Sequence, residues 1–172
     1  MNDLLLLSTL LEGPKHGYAL KKQVGLITGQ GEMHNNLVYP LLKRFVRNGW
    51  VSCRETAGQR GQTRELYAIT AKGRRELADR IAEFSPRSAA SAESFSLRVG
   101  LFGILEPAAR ARILDGREKW LAARSTTLKN LATTMKLGLW AGEVVHFLHA
   151  QAVREQAWIS GLRKKARDVA TS

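Results

Sequence analysis

The sequence lacks the features that are typical of secreted and membrane-spanning proteins. Its one cysteine, Cys53, cannot form a disulfide within the chain, and nothing else indicates an oxidising compartment. The apolar opening from Leu4 to Leu11 has no basic segment before it and runs into Gly13 and Pro14, so we expect a core helix rather than a secretion signal. No apolar run reaches the roughly eighteen residues of a membrane-spanning helix. These absences predict a soluble cytoplasmic protein that does not enter a membrane.

Residue groups that carry catalysis are also missing. The sequence offers no nucleophile with a neighbouring base, no clustered carboxylates and no phosphate-binding glycine loop. His146 and His149 lie three residues apart, but no Asp, Glu or Cys at a matching spacing completes a metal site. We therefore expect no enzyme, no cofactor and no metal.

The sequence has few acidic residues relative to basic ones, and this imbalance is the first indication of a binding partner. The 172 residues contain 27 Lys and Arg against 15 Asp and Glu, a net charge of +12. Such a balance favours a polyanionic partner, although charge alone does not choose between DNA, RNA and an anionic membrane. The length allows one mid-sized domain or two small ones.

The first third of the chain predicts three helices. The first carries leucines at helical spacing and ends at Gly13-Pro14, because glycine permits a C-terminal turn and proline bars continuation. The second spans residues 17–28, and the third spans residues 35–48 with a start that Pro40 could delay to near Leu37. The side chains expected to be buried in the last two helices are Tyr18, Leu20, Val24, Ile27, Val38, Leu41, Leu42 and Phe45.

A β-hairpin and a fourth helix follow. Two short strand patterns, residues 50–54 and 64–69, flank a loop that contains glycines, and Trp50 should pack beneath the hairpin. Thr70 is the expected N-cap of a helix that runs to Phe84. Three helices, a hairpin wing and a fourth helix form a winged helix-turn-helix, so we assign residues 1–84 to a DNA-binding domain.

The remainder predicts a linker and a helical domain. Residues 85–94 are rich in Ser and Ala and have little apolar periodicity, whereas residues 95–172 are helical in pattern, with Pro107 suited to a first turn. The last helix, from about Gly138 or Trp140, has a heptad seam whose one gap is Glu155. Such a seam predicts a partner helix, and hence a C-terminal dimerisation domain in a mainly α protein.

Three motifs resemble the PadR family of bacterial transcriptional regulators. They are Leu10 to Tyr18 at the junction of the first two helices, Val38 to Phe45 in the third helix, and Arg64 to Gly73 from the wing into the fourth helix. The resemblance extends more weakly over the C-terminal helices. It implies a homodimeric repressor that binds a dyad-symmetric operator and is relieved by a small effector. One departure is His34, where the family often has a capping serine, so the cap could instead come from Asn35.

Candidate site residues follow from the third helix and the wing. Between Asn36 and Arg64 six basic residues stand against one acid, so the positive charge of the first half is concentrated there. Amides can pair with adenine, and arginine is drawn into a narrow minor groove. The predicted DNA-binding residues are Lys15, Tyr18, Asn35, Asn36, Tyr39, Lys43, Arg44, Arg47, Arg60, Gly61 and Arg64.

The C-terminal half supplies two further sets of candidates. For the dimer interface we expect the heptad seam and two phenylalanines before it. For contact with a small aromatic effector we expect three tryptophans, because flat rings can sandwich a planar ligand. The interface set is Phe95, Phe102, Val145, Leu148, Ala152, Ile159 and Leu162, and the effector set is Trp120, Trp140 and Trp158.

Two other interpretations of the first half remain open at this point. A basic architectural or RNA-binding protein without a defined operator has the same charge. A winged adaptor that has lost DNA binding has the same fold, but its third helix would not normally stay so basic. A redox role for Cys53 in the first wing strand is disfavoured.

Overall fold

The computed structural model describes residues 1–28, 31, 33–57 and 63–170. The chain divides into two compact units, Met1–Glu83 and Phe84–Ser172, which are taken in turn. Among the described residues, no helix is both long enough and apolar enough to span a bilayer. The architecture is the predicted one, a winged helix-turn-helix followed by a helical region.

Four α-helices build the first unit. They are α1 (Asn2–Ser8), which continues as a 3₁₀ turn over Thr9–Glu12, α2 (Gly17–Thr28), α3 (Asn35–Arg47) and α4 (Ala71–Ala82). The turn ends at Gly13, whose φ of 128° lies in the region that favours glycine. Leucines of α1 and its 3₁₀ turn are buried together with one face of each other helix, and this core contains Leu6, Leu10, Leu20, Val24, Val38, Leu42, Phe45, Leu77 and Ile81.

The sheet has three strands rather than the two of a simple hairpin. Strands β2 (Val51–Ala57) and β3 (Thr63–Ile69) pair antiparallel, from Val51 opposite Ile69 to Ala57 opposite Thr63. Strand β1 (Lys15–His16) adds to the other edge of β3. Two residues are too few to show an alternating pattern, so the sequence gives no sign of β1. The predicted wing-tip residues Arg60 and Gly61 lie outside the described residues.

Helix α3 starts at the first of the two predicted positions, but its N-cap is not the expected one. The helix begins at Asn35, not near Leu37, and Pro40 lies inside it. His34 occupies the N-cap position in an extended conformation without a side-chain cap, and its carbonyl accepts from the amides of Leu37 and Val38 at 2.9 and 3.2 Å. Asn35 is therefore the first helical residue rather than the cap.

Helix α2 is less buried than its pattern predicted. Leu20 and Val24 are buried as expected, but Tyr18 is 63% exposed and Ile27 is also exposed. The prediction of a buried Ile27 is wrong, because the packed face of this short helix is narrower than its apolar stripe. Tyr18 was expected either in the core or against DNA phosphate, and its exposure excludes the core.

The base of the wing is tied to the start of α4. Trp50 is buried as predicted, with the Arg80 guanidinium 4.5 Å from its ring centroid. The predicted cap is confirmed, since Thr70 Oγ1 accepts from the Gly73 amide at 3.0 Å. A Cβ added at Gly73 would lie 2.0 Å from the Trp50 carbonyl oxygen, so only glycine fits there.

The second unit is helical throughout its described part. Its α-helices are α5 (Pro86–Ala90), α6 (Ala92–Gly100), α7 (Pro107–Thr134) and α8 (Leu139–Ala170), with a 3₁₀ turn over Phe102–Ile104. Pro107 is in the first turn of α7, as predicted. Phe84, predicted in the preceding helix, packs on Phe95 with ring centroids 6.4 Å apart.

The predicted linker over residues 85–94 is not irregular. The Ser85 hydroxyl accepts from the Ser88 amide at 3.2 Å and caps α5, and the Ser91 hydroxyl accepts from the Ser94 amide at 3.1 Å and caps α6. The serines that suggested a linker are thus N-caps of two short helices, which composition alone does not distinguish from a linker.

Candidate nucleic-acid interface

One face of α3 is exposed along its whole length. We call Asn36, Tyr39, Lys43 and Arg47 the reading stripe, because they follow one another at steps of three and four residues and all four are exposed. The opposite face, which contains Val38, Leu42 and Phe45, is buried. The buried face fixes the helix in the unit, so the reading stripe presents two cations, an amide and a phenol to solvent on a rigid support. Asn35 is exposed beside it in the first helical turn.

Tyr39 is held by the neighbouring helix. Its ring lies over Gly17, the first residue of α2, where an added Cβ would be 3.0 Å from Tyr39 Cε1 and 3.4 Å from the hydroxyl oxygen. Tyr39 is 39% exposed, so one side of the ring remains open to solvent. The sequence predicts no role for Gly17 beyond its place in the motif that it shares with His16 and Tyr18.

Arg44 lies apart from the reading stripe. Its guanidinium is 3.5 Å from Asp3 Oδ2 and stands over the ring of Phe45 at 5.7 Å. Asp3 also accepts from Arg80 at 3.1 Å, so this carboxylate joins α1, α3 and α4. Arg44 therefore makes its contacts inside the first unit. Its position along the helix did not predict these contacts.

Lys15 is also engaged within its unit. Its ammonium contacts Glu12 Oε2 at 3.0 Å, and Gln23 Nε2 donates to the same oxygen at 2.7 Å. The hydrogen bond from Gln23, followed by that from Lys15, lowers the pKa of Glu12 below its ordinary value. Part of the charge of Lys15 is thus neutralised locally, whereas Tyr18, three residues later, projects into solvent.

The start of α2, Tyr39 of the reading stripe and β3 line an open cleft of about 610 Å³. Arg64 contributes an exposed cation to its wall. Beside it the buried Tyr67 hydroxyl donates to Glu65 Oε2 at 2.6 Å, and burial together with this carboxylate raises the pKa of Tyr67. Three tyrosines, one cation and one anion therefore surround the cleft, whose lining is His16, Gly17, Tyr18, Ala19, Tyr39, Thr63, Arg64, Glu65 and Tyr67.

Cys53 lies on β2 opposite Tyr67 in the sheet register. Cys53 as a residue is exposed. Partial burial of its thiol, followed by the negative charge of the nearby Glu65, raises the pKa of the thiol. Reactive cysteines have a lowered thiol pKa, so this environment does not favour a thiolate.

Glu155, the one polar position in the heptad seam of α8, is explained by a contact within the second unit. Arg117 of α7 has a side chain only 3% exposed, and its Nε and Nη2 each donate to the Glu155 carboxylate at 2.7 Å. Its Nη1 donates to the Ala89 carbonyl at 2.6 Å. The polar position in the seam of α8 is therefore the acceptor for a buried cation of the same chain.

The predicted interface residues divide accordingly. Phe95, Ala152 and Ile159 are buried within the single chain, which leaves little of their surface for a second copy, and their place in a dimer interface stays a prediction. Phe102, Val145, Leu148 and Leu162 are half-buried and remain predictions. A second stripe of α8 is exposed instead, which we call the outer stripe, with Trp140, Val144, Phe147 and Trp158 at heptad positions.

The three tryptophans do not form one pocket. The Arg117 guanidinium stands 4.7 Å from the Trp120 ring centroid, and Trp158 packs edge-on against Phe95 at 5.7 Å. Trp140 is 80% exposed on the same helix as Trp158, about 27 Å from it along the axis at 1.5 Å per residue. Within one chain Trp140 and Trp158 cannot sandwich the same planar ligand, and the effector role of Trp120, Trp140 and Trp158 stays a prediction. Across the ranges given above, no three His, Cys, Asp or Glu residues are grouped to hold a metal.

Comparison with known proteins identifies a family to which the first unit is similar. Residues 6–79 match the model of the transcriptional regulator PadR-like family. A transcriptional regulator of Thermoplasma acidophilum is 33% identical over 45% of this chain and 74% of its own, with a TM-score of 0.42. A PadR family regulator of Eggerthella lenta is 32% identical over 46% and 68%, with a TM-score of 0.41. PadR of Bacillus subtilis in complex with operator DNA is 16% identical over 95% and 98%, with a TM-score of 0.47. Among curated proteins no match is found.

Proposed function

Since the chain belongs, through residues 6–79, to the PadR-like family of transcriptional regulators, we propose that it binds a dyad-symmetric DNA operator as a homodimer and represses transcription from it. The observation that carries the proposal is the reading stripe. An α-helix fits the major groove, and here the face opposite the core presents side chains that suit base edges and phosphates.

Three members of the reading stripe and the neighbouring Asn35 have chemical tasks in this proposal. Asn36 can donate to and accept from an adenine edge at once, which discriminates among base pairs. Lys43 and Arg47 are cations farther along the helix and suit phosphates or guanine. Asn35 in the first turn is a second amide within reach of the bases.

The wing extends the contact beyond α3. Arg54 and Arg64 lie on its two strands and are exposed, which favours contact with the phosphates beside the reading site. Arg60 and Gly61 are proposed for the adjacent minor groove, where narrow A·T-rich DNA attracts arginine. Arg44 and Lys15 have weaker claims, since each already faces a carboxylate.

The outer stripe of α8 supports the proposed dimer. Trp140, Val144 and Phe147 are large apolar side chains that alternate at steps of four and three, and Phe147 is 65% exposed. An exposed apolar row at heptad spacing is typical of a helix that pairs with another helix. A second copy would bury this row and space two winged domains over two half-sites.

Relief of repression by a small aromatic effector is proposed for the second unit. Trp120 contacts Arg117 and Trp158 contacts Phe95, so both rings border one cluster of the second unit, where a planar aromatic ligand could stack on them. Titration of aromatic acids against tryptophan fluorescence tests this, and an absence of quenching by all of them counts against it.

The experiment that tests the main proposal is selection of genomic fragments by the purified protein. We expect a sharp footprint with two half-sites whose centres are about 34–36 Å apart, or a multiple of that. Transcription in vitro from a promoter with that site should fall as protein is added. Uniform retention of fragments with no footprint would instead favour the architectural or RNA-binding alternative, since a specific complex exceeds non-specific binding by roughly a thousandfold or more.

A further inference from the structure

Gly17 stands where its backbone does not require glycine. The described glycines with positive φ are Gly13, Gly31 and Gly49, and Gly17 is not one of them. It is the buried first residue of α2, a position that accepts most residues, and glycine is a poorer helix former than alanine. The reason for a glycine here is therefore space rather than conformation.

The space is taken by Tyr39. The three atoms that a Cβ at Gly17 would meet are Tyr39 Cε1 at 3.0 Å, the hydroxyl oxygen at 3.4 Å and Cζ at 3.5 Å. All three belong to the hydroxyl end of the ring. The contact therefore supports the hydroxyl end of the side chain, and a methyl group at position 17 would press against it and displace it.

The direction in which the ring leans decides what its hydroxyl can meet. Tyr39 starts from the reading stripe, but its hydroxyl end rests against the first turn of α2 rather than at the centre of the α3 face. In a helix-turn-helix the helix before the recognition helix crosses the DNA backbone. A hydroxyl held against α2 thus faces the phosphates at the groove edge and not the bases.

We propose that Gly17 is a positioning residue for DNA binding: its missing side chain lets Tyr39 rest on α2, which aims the phenol hydroxyl at a backbone phosphate. The inference rests on the proposed function, because it needs the reading stripe in the major groove. The contact carries no base information, since a phosphate is common to every sequence.

The test measures binding of the full chain and its variants to two labelled duplexes, one with the selected site and one of unrelated sequence. Gly17→Ala and Tyr39→Phe should each weaken binding to both duplexes roughly tenfold, the loss expected for one hydrogen bond to a charged group. The slope of log K against log salt should not change, because a phenol releases no counterions. An unchanged salt slope distinguishes Tyr39→Phe from Lys43→Ala, which should flatten the slope.

The link between the two residues is tested by a double-mutant cycle. In a Tyr39→Ala background, Gly17→Ala should add less than about a twofold loss, since the group that it displaces is already gone. Equal losses from Gly17→Ala with and without the ring would overturn the positioning role. A loss confined to the selected site would overturn the phosphate assignment. Gly103→Ala, which adds a Cβ with nothing within 4 Å, is the matched control and should bind like the wild type.

A measurement without DNA keeps this inference distinct from the proposed function. The chain has three tyrosines, so incorporated fluorotyrosine gives three fluorine NMR signals that Tyr→Phe variants assign. Gly17→Ala should shift the Tyr39 signal most. If the wild type binds neither duplex, the proposed function fails, and this spectrum still decides the contact. An unmoved Tyr39 signal contradicts it.

Discussion

Lys43 and Asn36 share the reading stripe, yet their substitutions should have different effects. Lys43→Ala should weaken binding to every duplex and flatten the salt slope by about one, because one phosphate contact is lost. Asn36→Ala should instead relax preference at one base pair by roughly 1–3 kcal/mol. Fluorescence anisotropy across a salt series measures both, with Lys119→Ala on α7 as a matched control. Unchanged affinity in both variants would refute this placement of the reading face.

The buried pair of Arg117 and Glu155 predicts a strongly non-additive stability effect. Glu155→Leu or Arg117→Met leaves its partner's charge buried and should lower the free energy of unfolding by roughly 3–5 kcal/mol, measured by urea denaturation. The double variant Arg117→Met/Glu155→Leu should recover most of that loss. Arg163→Met, which removes a more exposed ion pair with Asp115 and Glu118, should cost less than about 1 kcal/mol. Additive losses in the double variant would speak against the coupling.

Individual residues of the interface were predictable from sequence only in part. Helical spacing was enough to put Asn36, Tyr39 and Lys43 on one face opposite the core. It could not show that Arg44 meets Asp3, because that carboxylate is distant in sequence and comes near only when α1 packs. Gly17 escaped notice for the same reason, since its importance lies in a ring from another helix.

At the scale of elements, α8 shows what periodicity can and cannot decide. Its seam through Ala152 and Ile159 and its outer stripe through Val144 and Phe147 have the same spacing. Only packing reveals that the first faces α7 within the chain, as the Arg117 contact with Glu155 shows. Spacing alone predicts that the seam is covered, but it does not say whether the covering helix belongs to the same chain or to a second copy.

The outer stripe leads to a prediction about assembly. Val144→Ser/Phe147→Ser should shift the protein toward monomers, because it removes apolar surface that a second copy would bury. Light scattering at several protein concentrations measures this. Gln151→Ser lies on the same stripe but removes no apolar group, so it should leave the mass unchanged. A dimer that persists in the double variant would assign the interface elsewhere.

The attachment of α1 to α3 and α4 should depend on pH through Asp3. Burial raises the pKa of this carboxyl, but the N-terminal ammonium at 3.3 Å, the Leu4 amide and Arg80 together lower it below the ordinary value. A lowered folded-state pKa stabilises the fold above the unfolded value, and this stability is lost as pH falls through the folded pKa. Thermal unfolding across an acidic pH series should therefore show a flatter acid limb for Asp3→Asn. Parallel curves for the two proteins would contradict this.

For the whole molecule, charge gives the most direct prediction. If each subunit neutralises on the order of three to five phosphates, a dimer should show log K falling with log salt at a slope of roughly −5 to −9. A steeper slope would mean that cations of the second unit also reach DNA. A slope near that of a single subunit would count against simultaneous contact by two copies.

The order of elements over the whole chain followed from the sequence, since helical periods, a glycine loop and the Thr70 cap are local signals. The features that the sequence did not predict depend largely on contacts between segments that are distant in the sequence. Strand β1 exists because Lys15 and His16 lie beside β3, and the short helices α5 and α6 begin at serines whose composition resembles a linker.

The junction between the wing and α4 has a kinetic consequence. The Trp50 carbonyl accepts from the Thr70 amide at 2.9 Å, and Gly73 sits directly over it. The Thr70 amide is held by this carbonyl and the Gly73 amide by the Thr70 hydroxyl, so both hydrogen bonds break when the first turn of α4 separates from the strand. The hydrogen exchange of these two amides with deuterated water should consequently be as slow as that of the buried amides of α3, so the root of the wing opens only when its unit unfolds.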